Sequence, residues 1–314
     1  MLHLQSFLEK YYTPDENIIL ACSTWPDSMF LLHQLLQTSY KKNIVACYFN
    51  HKLRIESDQE ALFLQNEWIK QGFQVEIGYW NIKTIKENFR LSIWIEELAR
   101  EKRYAFLRDL CIKYKTKYII TAHHADDKIE TFFFHLARWS KLTGLINMTE
   151  KGGDILRPLL HLEKSQILTY MDENHLEYTI DKSNFDTTFS RNHLRNTILP
   201  EFFSINSQFK KNILHTLEYF EDVKNHIDNE VQVFLDQHDG YFLICDFHHL
   251  SLFLQKEIIR YLYYISNNNS TVWLSASNIQ EVLRFISGKN NKTRKEIQWL
   301  HMKKDGVKIF FSWI

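Results

Sequence analysis

The stretch Ile18-Ile-Leu-Ala-Cys22, Ser23-Thr-Trp-Pro-Asp-Ser28, Met29-Phe-Leu-Leu-His-Gln-Leu-Leu36 governs the reading of the chain. Its first segment is a short apolar run between Asn17 and a polar cluster, which predicts a buried strand. Met29, Leu32, Leu35 and Leu36 recur at helical spacing and predict one apolar face of a helix. The turn between them carries hydroxyls, a carboxylate and a proline. A strand that breaks directly into a helix leaves the first-turn N–H groups aimed at one point, and such a point binds anions. A phosphate is expected there.

The same alternation continues outward. Residues 2–12 predict a short helix. Strands are expected at 43–49, 74–79 and 117–121, and helices at 58–71, 93–114 and 128–137. This order implies βαβ units, hence an α/β fold with a parallel sheet and helices on both faces. In such sheets the ligand crevice lies beyond the carboxyl ends of the strands. The polar clusters Asn50-His51 and Ala122-His-His-Ala-Asp-Asp127 both fall at that edge. From Ile155 the texture changes. A helix over 164–173 precedes a polar stretch, 181–192, and Pro200. A long helical pattern runs from 202 to about 237. Helices at 255–265 and 277–286 and a late strand at 307–311 complete the chain. The expected organisation is a first domain over 1–205 and a smaller helical and mixed domain over 206–314.

The chain has 314 residues, with 38 Lys+Arg against 38 Asp+Glu, so bulk charge announces no nucleic-acid partner and any such partner needs a local basic patch. The four cysteines form no C-x-x-C pair, which argues against a zinc ribbon or a redox motif. There is no signal-peptide pattern and no run of ~18 apolar residues, so a cytoplasmic protein is expected. Glycine and tryptophan both number 8, an unusually low glycine content beside a typical ~7%.

Ser23, Asp27 and Ser28 resemble the Ser-Gly-Gly-x-Asp-Ser phosphate loop of the ATP-pyrophosphatase group, with Thr24 and Trp25 where the glycines stand. Further segments follow in family order. They are Asn50-His51-x-Leu53-Arg54, Glu97-x-Ala99-Arg100-x-x-Arg103-Tyr104 and Thr121-Ala122-His123-His124-x-Asp126-Asp127-x-x-Glu130-Thr131. Arg157-Pro158-Leu159 comes next, then Asp181-x-Ser183-Asn184-x-Asp186, Arg191-Asn192-x-x-Arg195 and Pro200. In order and spacing the chain resembles the tRNA(Ile)-lysidine synthetase family, strongly over about residues 15–205 and weakly beyond.

That resemblance implies ATP-dependent joining of L-lysine to C2 of the wobble cytidine of tRNA(Ile). ATP adenylates the C2 oxygen and releases pyrophosphate; the lysine amine then displaces AMP. It implies an ATP site formed by Ser23, Thr24, Trp25, Pro26, Asp27 and Ser28 with Asn50 and His51. Asp27 is the expected Mg²⁺ ligand. Asp27, Asp127, Arg100 and Arg103 are the expected catalytic residues. Asp127 is assigned to the active site, and Asp126 to capping or support. Arg191, Asn192 and Arg195 are expected either to contact tRNA or to order their loop. Taken alone, Asp27 also suits a helix N-cap, His51 a surface position, and Arg100 and Arg103 salt bridges with Glu96, Glu97 or Glu101. Basic residues at 289–295 and Lys303-Lys304 are expected either to grip tRNA or to form a solvated loop. The oligomeric state stays open, a homodimer included.

Trp25 stands at the second loop glycine, and Arg138-Trp139-Ser140 where the family has Arg-Gly-Ser or Arg-Gly-Thr. Two explanations follow. Either the protein is a catalytically impaired, RNA-binding relative, or these positions are glycines in the cell. Some bacteria read UGA as glycine, and translating that codon as tryptophan would produce this pattern; Trp273 fits it too. UGG codons at 25 and 139 would exclude it. Thr24 and Lys141 depart from the family either way. Rival functions are another ATP-pyrophosphatase-type tRNA-modifying enzyme, such as a thiolase, and a metal phosphoesterase built on His123, His124 and Asp127.

Overall fold

The computed structural model describes residues 4–51, 61–62, 65, 68–69, 72–80, 92–138, 141–146, 148–179, 190–267, 274–290 and 292–312. Leu53, Arg54, most of the helix expected at 58–71, Trp139, Ser140, the Asp181–Asp186 segment and Trp273 lie outside the described residues. The chain divides into two compact units, residues 1–217 and 218–314.

The first unit opens with α1 (Leu4–Glu9), β1 (Ile18–Ala21), α2 (Pro26–Leu36), β2 (Ile44–Asn50) and β3 (Gln74–Tyr79). It continues with α3 (Ser92–Lys113), β4 (Ile119–Ile120), α4 (Ala125–Ala137), α5 (Leu142–Leu145), β5 (Lys151–Gly152), β6 (Ile155–Leu156) and α6 (Lys164–Glu173). The sheet order is β3-β2-β1-β4-β6-β5. All neighbours are parallel except β5, which runs antiparallel to β6.

Both faces of this sheet are buried, which is why β1 reads as a continuous apolar run. Ile18, Leu20, Ala46 and Ile120 face one core with Phe30, Leu31 and Leu35 of α2 and Ile167 and Met171 of α6. The alternate residues Ile19, Val45, Cys47 and Ile119 face Tyr104, Leu107, Leu110 and Cys111 of α3. Each fully buried aliphatic side chain contributes about 1.5–3 kcal/mol. A one-residue slip of β1 would exchange the two sets, so the register Ile18↔Ile44 to Ala21↔Cys47 is strongly specified. Strand order reverses between β1 and β4, which puts the topological switch point there.

Next come α7 (Ser190–His193), a π-helical turn (Leu194–Ile198), α8 (Leu199–Ile205) and α9 (Phe209–Leu235). The long helix expected from residue 202 is broken at 206–208. Asn206 leaves helical geometry, and its side-chain oxygen accepts from the Gln208 N–H at 2.9 Å, a local turn that competes with the helix. Phe133 of α4 stacks on Phe202 and Phe209, holding this segment against the sheet unit.

The second unit holds β7 (Tyr241–Leu243), α10 (Ile244–His249), α11 (Leu252–Ser266), α12 (Ala276–Ser287), β8 (Lys292–Ile297), β9 (Leu300–Asp305) and β10 (Lys308–Ser312). Its sheet is antiparallel, in the order β7-β10-β9-β8. The late strand expected at 307–311 is therefore one of four. The basic run at 289–295 enters strand β8 rather than forming a loop. Lys304, on β9, is only 4% exposed and donates to the Ile286 and Gly288 carbonyls at 2.8 and 2.6 Å. It caps the C-terminus of α12 and is not a surface cation. No described helix is long and apolar enough to cross a membrane.

Candidate active site

The switch point brings the loop after β1 beside the loop after β4. In the first loop Ser23 Oγ and Ser28 Oγ are 3.0 Å apart, and the Trp25 N–H donates to Ser23 Oγ at 3.3 Å. Pro26 opens α2, which has no side-chain cap, so its first-turn N–H groups keep no intrahelical partner. Thr24 is buried, and its carbonyl accepts from the Thr179 N–H at 2.9 Å. The absence of glycine does not strain the loop. Trp25 has φ −77° and ψ 155°, ordinary extended backbone, and neither it nor Thr24 is at positive φ. The indole is 36% exposed.

Asp27 lies in the first turn of α2, but it is not that helix's cap. Its Oδ1 accepts from Lys164 Nζ at 2.6 Å and lies 3.6 Å from His124 Nε2. In the second loop, Thr121 Oγ1 and His123 Nδ1 are 2.7 Å apart. His124 is buried and precedes α4. Asp127 is the residue that caps α4, accepting the His124 N–H at 3.0 Å, and it also stands 3.5 Å from His124 Nε2 and from Arg195 Nη2. This cap starts the helix at Ala125 rather than at the expected 128. Asp126 caps nothing in α4. It accepts from the Lys164 backbone N–H at 2.8 Å and from Lys210 Nζ at 2.5 Å.

Burial by itself would raise both carboxyls. For Asp126 the Lys164 N–H and the Lys210 ammonium outweigh it; for Asp127 His124, His123 and Arg195 do. Both are held below the usual carboxylate range. Glu130, one turn along α4, is chelated by Arg195 from the π-helical turn at 2.5 and 2.8 Å, yet burial still raises its carboxyl. Arg195 is therefore engaged inside the protein. Arg191 lies over the Phe134 ring at 5.0 Å.

A second, cationic group lies at the ends of β2, β4 and β6. Arg100 and Arg103 both lie over the ring of Tyr104, at 5.0 and 5.3 Å. Among the described residues no carboxylate is within ion-pair distance of either. His51 stands at the end of β2 and Asn50 is buried there. Burial and then the Arg103 charge push His51 down to about 4.

Lys164, Lys210, Glu130 and Arg157 complete this constellation, and no role was expected for them from sequence. Glu130 and Arg157 lie inside the quoted motifs. Lys210 sits in an ordinary helical pattern and carries no sequence signal. Among the described residues no three His, Cys, Asp or Glu side chains form a metal-holding group. Mg²⁺ commonly takes one or two carboxylates and completes its shell with phosphate oxygens and water. Asp27 fits that role as a single protein ligand, on the condition that Lys164 moves off it.

The PP-loop domain model matches residues 2–202. A tRNA(Ile)-lysidine synthase of Thermosipho africanus is 33% identical over 239 residues, 74% of this chain and 55% of that protein. The bifunctional protein TilS/HprT of Listeria innocua is 29% identical over 302 residues, 91% of this chain and 46% of that protein. The chain spans about half the length of the curated relatives it matches. Among solved structures, the U34-tRNA thiolase NcsA of Methanococcus maripaludis superposes with a TM-score of 0.52 at 16% identity, covering 66% of this chain and 73% of that one, a likeness of fold alone. The sheet order, the loop at its switch point and the model match over most of the chain agree: the chain belongs to the PP-loop family, and within it its curated relatives are tRNA(Ile)-lysidine synthases.

Proposed function

We propose that this protein uses ATP to join L-lysine to C2 of the wobble cytidine of tRNA(Ile), in the cytoplasm. The observation that carries the proposal is the meeting of the two loops, with His124 between Asp27 and Asp127. Ser23, Ser28 and the uncapped start of α2 hold the departing pyrophosphate. Asn50 and His51 border the nucleotide at the end of β2. Asp27 holds Mg²⁺, which neutralises charge on the phosphates. Lys164, 32% exposed on its side chain, is free to swing from Asp27 to those phosphates.

The second step needs the lysine amine as a free base, since an ammonium with pKa near ~10.4 is not nucleophilic. Asp126 and Asp127 are held as anions and are poor proton acceptors. Their role is to position the incoming lysine, whose ammonium replaces Lys210 or Arg195; it then loses a proton to solvent, and the free amine forms the bond to C2 as AMP leaves with the C2 oxygen. Arg191 and Asn192 order the segment that carries Arg195, and residues 206–314 contribute to tRNA binding.

The test is incorporation of labelled lysine into a tRNA(Ile) transcript, with pyrophosphate measured in parallel. One pyrophosphate per lysine is expected, and neither without ATP. RNA binding without either product would replace the proposal with an RNA-binding relative that has lost catalysis.

A further inference from the structure

Arg157 follows β6 and is 6% exposed. Its Nη1 donates to the Thr149 carbonyl at 2.8 Å, but its buried Nε has no partner among the described residues. The Tyr104 hydroxyl and His51 Nδ1 are likewise buried without a partner. Arg100 and Arg103 flank that same tyrosine. Asp154, the carboxylate that acts on Arg157, is already bound by Arg108 at 2.5 and 3.3 Å. Burial above all pushes His123 down to about 3; the Asp127 carboxylate opposes it, and the charges of Arg157, Arg100 and Arg103 add to it. Three guanidinium groups thus converge, Arg157 buried, Arg103 half-buried and Arg100 exposed, and among the described residues no carboxylate pairs with Arg100, Arg103 or Arg157. Uncompensated buried charge is expensive, and buried polar atoms are rarely left unpaired. An anionic ligand resolves both.

We propose that Arg100, Arg103 and Arg157, with the Tyr104 hydroxyl, form a phosphate-oxyanion site separate from the loop at Ser23–Ser28. The two are supported from opposite faces of the sheet, one on α3 and the other on α2. Guanidinium forks match phosphate oxygens in geometry. The phosphate is either a backbone phosphodiester of the RNA strand or a phosphate of the nucleotide. His51 and His123, both neutral near pH 7, border it without adding charge. Gly152 leaves room for the guanidinium, because a Cβ there would lie 2.9 Å from Arg157 Nη1 and push that end of the side chain aside. This inference deepens the function proposed above and rests on it for the choice of probes.

The test uses the full chain and measures binding apart from lysine transfer. Filter binding of tRNA(Ile) transcript and calorimetric binding of Mg-ATP are compared for wild type, Arg103→Gln, Arg103→Lys and Gly152→Ala. Lys113→Gln, ten residues beyond Arg103 on the same helix and paired with Glu76, is the control. Arg103→Gln is expected to weaken one ligand by about tenfold, as loss of a phosphate contact does. If RNA is the source, the salt slope also falls by about one. Gly152→Ala is expected to weaken the same ligand while every charge is kept, Arg103→Lys to retain part of the affinity, and Lys113→Gln to change nothing. Loss confined to tRNA assigns a phosphodiester; loss confined to ATP assigns a nucleotide phosphate. The wild type gives a measurement independent of folding defects. The His51 and His123 resonances are titrated with and without each ligand, and an arriving anion is expected to raise both pKa values. If ATP and tRNA bind with unchanged histidine pKa values and Arg103→Gln weakens neither, the site is overturned. Wild type that binds both ligands and shifts its histidines yet transfers no lysine would sink the proposed reaction and leave this site standing.

Discussion

The two halves of the crevice solve the problem of buried charge in opposite ways. On the acidic side each of the four described carboxylates has an internal cation: Asp27 has Lys164, Asp126 has Lys210, and Glu130 and Asp127 share Arg195. On the basic side, among the described residues, Arg100 and Arg103 meet an aromatic ring and no carboxylate. The acidic half is stable as it stands and must exchange partners to bind anything. The basic half is already arranged for an anion, at the expense of stability. A single crevice therefore combines a site that opens by ion exchange with one that is preorganised.

The sharpest way to break this contrast is at Asp27. Asp27→Asn removes the anion that Lys164 meets and that the proposed reaction gives to Mg²⁺, and lysine transfer is expected to fall about 100-fold or more, as for loss of one preorganised electrostatic partner. Labelled-lysine incorporation reads it, and near-normal turnover would mean that Asp27 only holds Lys164. The pH dependence comes next. His51 and His123 have folded pKa values of about 4 and about 3, below the ~6.5 of an unfolded histidine. Below pH 6.5 the unfolded chain binds more protons, so stability is complete above that pH and is lost as pH falls through 4. The loss for His51 is on the order of 2–3 kcal/mol. Urea unfolding between pH 7 and pH 4 measures it, and Arg103→Gln should flatten the upper part of the curve. A flat profile in wild type would show that neither burial nor the Arg103 charge holds His51 down.

Glu130→Gln is a smaller perturbation. It leaves Arg195 with an amide in place of a carboxylate, and the expected loss is about 1–2 kcal/mol, below the value for a fully buried pair because Arg195 is 40% exposed. Denaturant midpoints check it. Trp25→Gly should change stability by less than ~1 kcal/mol, since the backbone there suits any residue and glycine is acceptable at an N-cap. A larger loss would show the indole to be part of the loop's packing. The mass of the peptide spanning Cys22 to Asp27, from natural source, decides which residue is present.

Much of the first unit was legible because periodicity and burial coincide there. Both faces of β1 and β2 are covered, so apolar runs read as strands without ambiguity. The second unit was less so. Strand β8 is Lys-Thr-Arg-Lys-Glu-Ile, whose exposed face hides the strand signal under charge. Lys304 reads as a surface cation until its partners, 16 and 18 residues earlier in the chain, are known. In the site, motif spacing pointed to Asp27 and Asp127, which the fold brings to His124. The roles of Asp126 and Asp127 depend on which carboxylate meets the His124 N–H, and adjacent residues of one type do not reveal that. Lys164 and Lys210 act across the fold, at separations of 137 and 84 residues, where no local pattern extends.

Lys303 and Lys304 are neighbours in sequence with opposite fates. The first side chain is 53% exposed, and the second is sealed against the carbonyl end of α12. An amine-acylating reagent would therefore mark Lys303 at once and reach Lys304 only when the second unit opens. The ratio of the two labels on a single peptide is a clock for that opening, with its own internal standard. Read with and without tRNA, it would report whether binding at residues 206–314 slows the breathing of the sheet, in a protein carrying no substitution at all.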